Sequence, residues 1–292
     1  WGRQTANDRI RIVVAMFRWA AAREMIPASV PQALSMLEPL KRGQSTATES
    51  REIGPVSIEV VEATKQHVSR QVRALIDLQL LTGTRPGELL RLRPCDLDMA
   101  GADGVWAYRP REHKNAHRGK ARTIYFGPQA QAVLQEFLPG RPMQAYLFSP
   151  QEAEAERRAK LHADRRTPLH YGNKPGTNRK ADPDRAAGAF YTTDSYRRAI
   201  ERGCDLAFEP PEHLQRRTLP SGKIESELAL QRRLSARQRA ELEDWRKARR
   251  WHPNQLRHTA ATNVRREFGL EAAQLVLGHS SATITDAVYA ER

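Results

Sequence analysis

The chain has 292 residues, a length expected to divide into about two domains. Lysine and arginine number 48 against 34 aspartate and glutamate, a formal net charge of +14, and apolar residues make up 39% of the sequence. No apolar run approaches the roughly 18 residues a membrane span requires, the opening Trp1-Gly2-Arg3-Gln4 carries no signal-peptide core, and two cysteines, Cys95 and Cys204, exclude a disulfide framework and a cysteine-based zinc site.

What remains is a basic chain for a reducing, cytosolic compartment. The surplus of cations makes a polyanion the natural partner. Nucleic acid comes first, because neutralising phosphates releases condensed counterions. An anionic membrane surface is disfavoured, since no segment pairs a basic face with a strong Trp/Leu face. The chain opens on Trp1 and stops at Arg292, as expected of part of a longer protein.

In chain order, residues 8–24 predict an amphipathic helix. Ile10, Val13, Val14, Phe17 and Ala21 recur at helical spacing, and Arg9, Arg11, Arg18 and Arg23 occupy much of the rest. Pro27 and Pro31 lead into a short helix at 30–37. Gly, Ser, Thr and Glu without apolar periodicity mark a linker, 43–54, and a domain boundary. The first domain is then residues 1–42 and the second residues 55–292. Ser57 begins another helix, with Glu59 in its first turn, and a longer one runs from 68 to 82 with Val72, Leu75, Ile76, Leu78, Leu80 and Leu81 apolar.

Thr82-Gly83-Thr84-Arg85-Pro86-Gly87-Glu88 is a turn, and Pro86 suits the first position of a helix at 86–92. Residues 104–109 and 121–126 read as two strands of a hairpin, joined by the basic stretch His113-Lys114-Asn115-Ala116-His117-Arg118-Gly119-Lys120. Residues 128–138 return to helix. Residues 151–190 are a basic, polar, loosely ordered insertion with a short helix at 151–163. Residues 193–207 are helical, and 209–222 form a loop with Pro210, Pro211 and Pro220. Residues 223–249 read as one charged, solvated helix. Helices at 253–267, 270–276 and 281–288 close the chain. The fold class is therefore mainly α with a small antiparallel β-sheet.

Four segments carry chemistry. Arg85, at a Gly-preceded helix start, can present a guanidinium whose parallel donors match two phosphate oxygens. An Arg after a turn is more often merely a surface residue. Lys114 in the hairpin loop is ordinarily solvated, yet a lysine held over a phosphate can protonate a leaving oxygen. In His252-Pro253-Asn254-Gln255-Leu256-Arg257-His258, Asn254 and Arg257 lie three apart on one helix face, whereas His252 would face elsewhere on a regular helix. His258 is read as a packing, capping or DNA-contacting residue. In Leu277-Gly278-His279-Ser280-Ser281, Gly278 ends a helix and exposes His279 at its C-terminus, with Tyr289 following near the chain end.

Together these pieces resemble the tyrosine recombinase (phage integrase) family over about residues 52–292. Its signature is an Arg in a Thr-Gly-x-Arg-x-x-Glu turn, a hairpin Lys, a His-x-x-Arg helix, a Leu-Gly-His segment and a terminal Tyr. Here the matching positions are Arg85 with Glu88, Lys114, Asn254 with Arg257, His279 and Tyr289. Two departures stand out. Asn254 occupies the position of the usual His, and an amide hydrogen-bonds but carries no proton. His279 and Tyr289 are ten residues apart instead of nine, and one added helical residue turns a side chain by about 100°.

The resemblance implies the family's catalytic fold, preceded at 1–42 by the end of a helical, SAM-like core-binding domain. It implies a DNA strand transferase that needs no metal, cofactor or ATP. Tyr289 would attack a backbone phosphorus and form a 3′-phosphotyrosyl link. Arg85, Arg257 and His279 would neutralise the transition state, Lys114 would protonate the departing 5′ oxygen, and Glu88 would orient Arg85. Arg118, Lys120, Arg122 and His258 would contact DNA. The implied partners are double-stranded DNA, three further copies in a homotetramer on paired sites, and an accessory DNA-bending protein. The implied setting is the prokaryotic cytoplasm, nucleoid-associated, in a mobile element. A type IB topoisomerase-like relaxing enzyme and a catalytically impaired DNA-binding relative are the alternatives.

Overall fold

The computed structural model describes residues 1–49, 53–101, 104–112, 121–166, 168, 170 and 186–278. Its contacts divide the chain into two compact units, Trp1–Ile53 and Gly54–Arg292. The first unit holds α1 (Arg3–Ala21) and α2 (Ser29–Ser35). Helix α1 starts five residues earlier than its apolar pattern suggests, and no residue in it is buried. Asn7 binds the backbone of Leu40 in both directions, and the Arg3 guanidinium meets Glu49 at 2.6 Å. Gly2 also bridges Thr48. Thr48 and Glu49, expected within the linker, are thus fastened to the start of α1.

In the second unit, Ser57 caps α3 (Ile58–Lys65) and Ser69 caps α4 (Arg70–Thr82), each side chain accepting from a backbone N–H three residues on. Helix α4 buries Val72, Leu75, Ile76 and Leu78, while Leu81 remains 43% exposed. Its polar residue Gln79 is buried too. Its amide donates to the carbonyls of Thr84 and Pro253 and accepts from the Tyr196 hydroxyl. A buried amide is costly unless satisfied, so these three bonds fix the chain segments around the end of α4.

Helix α5 (Pro86–Leu89) is shorter than expected and is followed by a three-stranded sheet in the order β1 (Leu97–Asp98), β2 (Trp106–Tyr108) and β3 (Ile124–Phe126). The strands are antiparallel, with Tyr108 opposite both Leu97 and Ile124. The hairpin was legible, but β1 is too short to show alternation. The Tyr108 hydroxyl donates to the Glu88 carbonyl at 2.7 Å and ties the sheet to α5. Helices α6 (Pro128–Gln135), α7 (Pro150–Ala163) and α8 (Thr193–Ala207) follow. Helix α7 occupies the start of the expected insertion and buries none of its residues.

The single charged helix expected at 223–249 is instead two, α9 (Glu227–Arg233) and α10 (Ala236–Arg249). Ser235 stands between them in extended conformation and caps α10. The physical reason is burial. One exposed helix would leave its leucines on a solvated stripe, whereas the break lets Leu230, Leu234 and Leu242 bury together with Leu214 in a small separate core. The chain then enters α11 (Pro253–Leu277), interrupted at Gly269, whose φ is +85°. Helix α11 packs chiefly on α4, which also contacts α6 and α8. Among the described residues, no helix is long and apolar enough to cross a membrane.

Because the small leucine core is separate, Leu242→Ala is expected to act locally. A loss of about 2–4 kcal/mol should strip hydrogen-exchange protection from α9 and α10 while α4 keeps its own. Equal loss in α4 would show that the two cores unfold together.

Candidate functional site

The site begins at the end of α4. Gly83 adopts the left-handed conformation, φ +58°, and its N–H donates to the Gln79 carbonyl. A Cβ there would also approach Leu277 to 3.2 Å, so glycine serves both the turn and the close passage of α11. Arg85 follows in extended conformation before Pro86. Glu88 then reaches back. One carboxylate oxygen accepts from the Arg85 backbone N–H at 3.2 Å and the other from its Nη1 at 3.0 Å. A single carboxylate, 3% exposed, therefore sets both the backbone and the guanidinium of Arg85, which stays 31% exposed.

Arg122 enters from the segment before β3. It was expected among the DNA-contacting cations, but its side chain is only 11% exposed and turns inward. Its Nε lies 3.7 Å from Glu88, and its Nη2 donates to the Val276 carbonyl at 3.2 Å. Burial lowers its pKa, with the Glu88 charge opposing and Arg85 assisting that shift. Gly278, again left-handed at φ +63°, ends α11, and a Cβ on it would lie 2.2 Å from Arg122 Nη1.

Arg257 is 5% exposed and spans two helix ends. Nη1 donates to the Gly83 carbonyl at 2.5 Å and Nη2 to the Leu277 carbonyl at 2.8 Å. Carbonyls at helix C-termini lack intrahelical donors and carry partial negative charge, so a cation is well matched there. Arg122 and Arg257 thus take neighbouring carbonyls of α11, and Arg257 takes the carbonyl two residues before Arg85. The structure brings Arg85, Glu88, Arg122 and Arg257 together. Among the described residues, Glu88 is the carboxylate that faces Arg85 and Arg122.

Beside Arg85 opens a cleft of about 850 Å³, lined also by Glu88, Tyr191, Thr193, His252 and Asn254. Asn254 and Arg257 share α11 but differ in surroundings: Asn254 borders the cleft, and Arg257 is buried against the carbonyls. The expectation that His252 faces elsewhere is corrected. His252 precedes the helix, in extended backbone at φ −126° and ψ 157°, so helical spacing does not govern its direction, and it borders the same cleft. His258 is half-buried. Desolvation first, and the Arg257 charge second, lower its pKa. Lys114, Arg118, Lys120, His279 and Tyr289 lie outside the described residues. Among the described residues, no cluster of three or more His, Cys, Asp or Glu side chains could hold a metal ion.

Sequence reasoning missed Gln79, whose signal was a lone amide on an apolar helix face. It also missed the Arg122–Gly278 pairing, which no local pattern announces.

No family model matches the sequence, and no curated protein matches it. Solved structures do match. An integrase of the transposon Tn1549, in complex with circular intermediate DNA, is 16% identical, with 100% of this chain and 76% of that chain covered and a TM-score of 0.53. A variant of the same integrase with a second circular intermediate DNA gives 16% identity, the same coverages and a TM-score of 0.55. The chain has the tyrosine-recombinase catalytic fold, mostly helical with one small three-stranded antiparallel sheet.

Replacing Glu88 with Gln removes the carboxylate that faces Arg85 and Arg122. Stability is expected to fall by about 2 kcal/mol, because Arg122 is left buried without an opposing charge. Urea unfolding measures it, and an unchanged midpoint would show that the Val276 carbonyl suffices for Arg122.

Proposed function

We propose that this chain is a site-specific DNA strand transferase that cuts and rejoins double-stranded DNA through a 3′-phosphotyrosyl intermediate on Tyr289. The observation that carries the reading is the meeting of Arg257 with the Gly83 carbonyl, which brings its guanidinium to the turn that presents Arg85. The recombinase fold supports it, as does the sequence resemblance for Lys114, His279 and Tyr289.

The Tyr289 oxygen forms a bond to phosphorus, and the bond from phosphorus to the 5′ oxygen breaks. The phenol gives up its proton to solvent water, and the 5′ oxygen receives one from Lys114. A phenol is mostly protonated near neutral pH, with an ordinary pKa of about 10, so attack and proton loss are coupled. Arg85 and Arg257 neutralise charge growing on the non-bridging oxygens, with His279 adding a hydrogen bond. Donors fixed in advance are effective because they need no reorganisation as the charge develops. Glu88 orients Arg85 from within hydrogen-bond reach. The phosphotyrosyl ester conserves the bond energy, so religation reverses the same step.

Arg118 and Lys120 add backbone contacts, which position DNA without reading its sequence. Exchange between two duplexes requires four copies on paired sites, with an accessory bending protein where the sites need bringing together. One observation favours a second reading, a DNA-binding relative with impaired chemistry: Asn254 borders the cleft with an amide that cannot carry a proton.

Incubation with a suicide half-site is expected to give a denaturant-resistant DNA–protein adduct, absent in Tyr289→Phe. Arg257→Lys should form it about 10²–10³-fold more slowly, the usual effect of losing a transition-state donor. DNA retention without any adduct would favour the impaired relative. Asn254→His should leave adduct formation unchanged or raise it, and a severe loss would show a site built around the amide.

A further inference from the structure

The cleft holds an imidazole that this chemistry leaves unused. We propose that His252 is a further catalytic residue, donating a hydrogen bond to a non-bridging oxygen of the scissile phosphodiester beside Arg85; the inference rests on the strand-transferase reading above.

Its backbone is pinned on both sides. Before it, Arg250 pairs with Asp205 at 2.6 Å, and the buried Trp251 donates from its indole to Thr64 at 3.1 Å. After it, Pro253 disfavours the helical conformation for the preceding residue, in keeping with the extended backbone of His252. Gln255 closes the turn: its side chain accepts from the His252 N–H at 3.1 Å, its own N–H donates to the His252 carbonyl, and its amide donates to Gly54. The Cα–Cβ direction of His252 is thereby set.

The position itself does not call for histidine. His252 is the residue before the first turn of α11, where Ser, Thr, Asp or Asn would cap best. It is exposed, and it borders the cleft together with Arg85 and Asn254. The unsatisfied N–H groups of a helix start favour an anion at that end. Asn254 offers an amide, whereas His252 offers a donor that can also exchange a proton.

The test compares His252→Ala and His252→Asn with the unaltered chain on a suicide half-site. The Asn variant places a good capping residue there and guards against a folding artefact. Adduct formation is expected to slow about 10²-fold in both, with duplex retention in gel shift unchanged within about twofold. On half-sites whose scissile phosphate is a methylphosphonate, one stereoisomer lacks the contacted oxygen, and there the deficit should shrink to less than tenfold. An equal deficit on both isomers and on the phosphodiester overturns the proposal. So does wild-type speed in both variants, or a loss of DNA retention that accounts for the whole effect. If the unaltered chain forms no adduct, the strand-transferase reading falls and takes the inference with it. An adduct that the His252 variants form normally removes the inference alone.

Discussion

Like charges do not gather without a reason. Two cations about 4 Å apart repel by about 1 kcal/mol in water and about 4 kcal/mol at the effective dielectric of a protein surface. Yet Arg85, Arg122 and Arg257 share one corner of this fold. The structure makes this tolerable in two ways. Glu88, almost wholly buried, faces both Arg85 and Arg122. The carbonyls of Gly83, Val276 and Leu277 supply the negative ends of α4 and α11 to Arg122 and Arg257.

That solution dictates much of the surrounding architecture. Two helix ends must lie side by side, so α4 and α11 form the main packing of the second unit. Each end must turn sharply and closely, so each has a left-handed glycine, Gly83 and Gly278, with a neighbouring side chain where a Cβ would go. Gln79 connects the Thr84 and Pro253 carbonyls from inside the core. Arg85, on the turn after α4, and Asn254, in the first turn of α11, consequently open onto one cleft. The same packing that stabilises the unit arranges its cations.

The sequence disclosed those features whose cause is local. The Thr82–Glu88 turn, the serine at Ser57, the helix at 193–207 and the glycine stop at Gly278 each rest on nearby residues, and each has the expected form. Features with distant causes were hidden. Arg122 reads as one more surface cation because its partners, Glu88 and Val276, are far along the chain. The break at Ser235 depends on leucines finding one another and Leu214. Helical spacing does not govern His252, because it stands one residue before the helix starts.

The central claim is that Arg85 and Arg257 act on one phosphate. A crystal structure of Tyr289→Phe bound to its DNA site tests it most directly. The account requires a guanidinium nitrogen of each within about 3 Å of the non-bridging oxygens of the same phosphodiester. Guanidinium groups on different phosphates, or an Arg257 occupied solely by the Gly83 and Leu277 carbonyls with DNA out of reach, would contradict it.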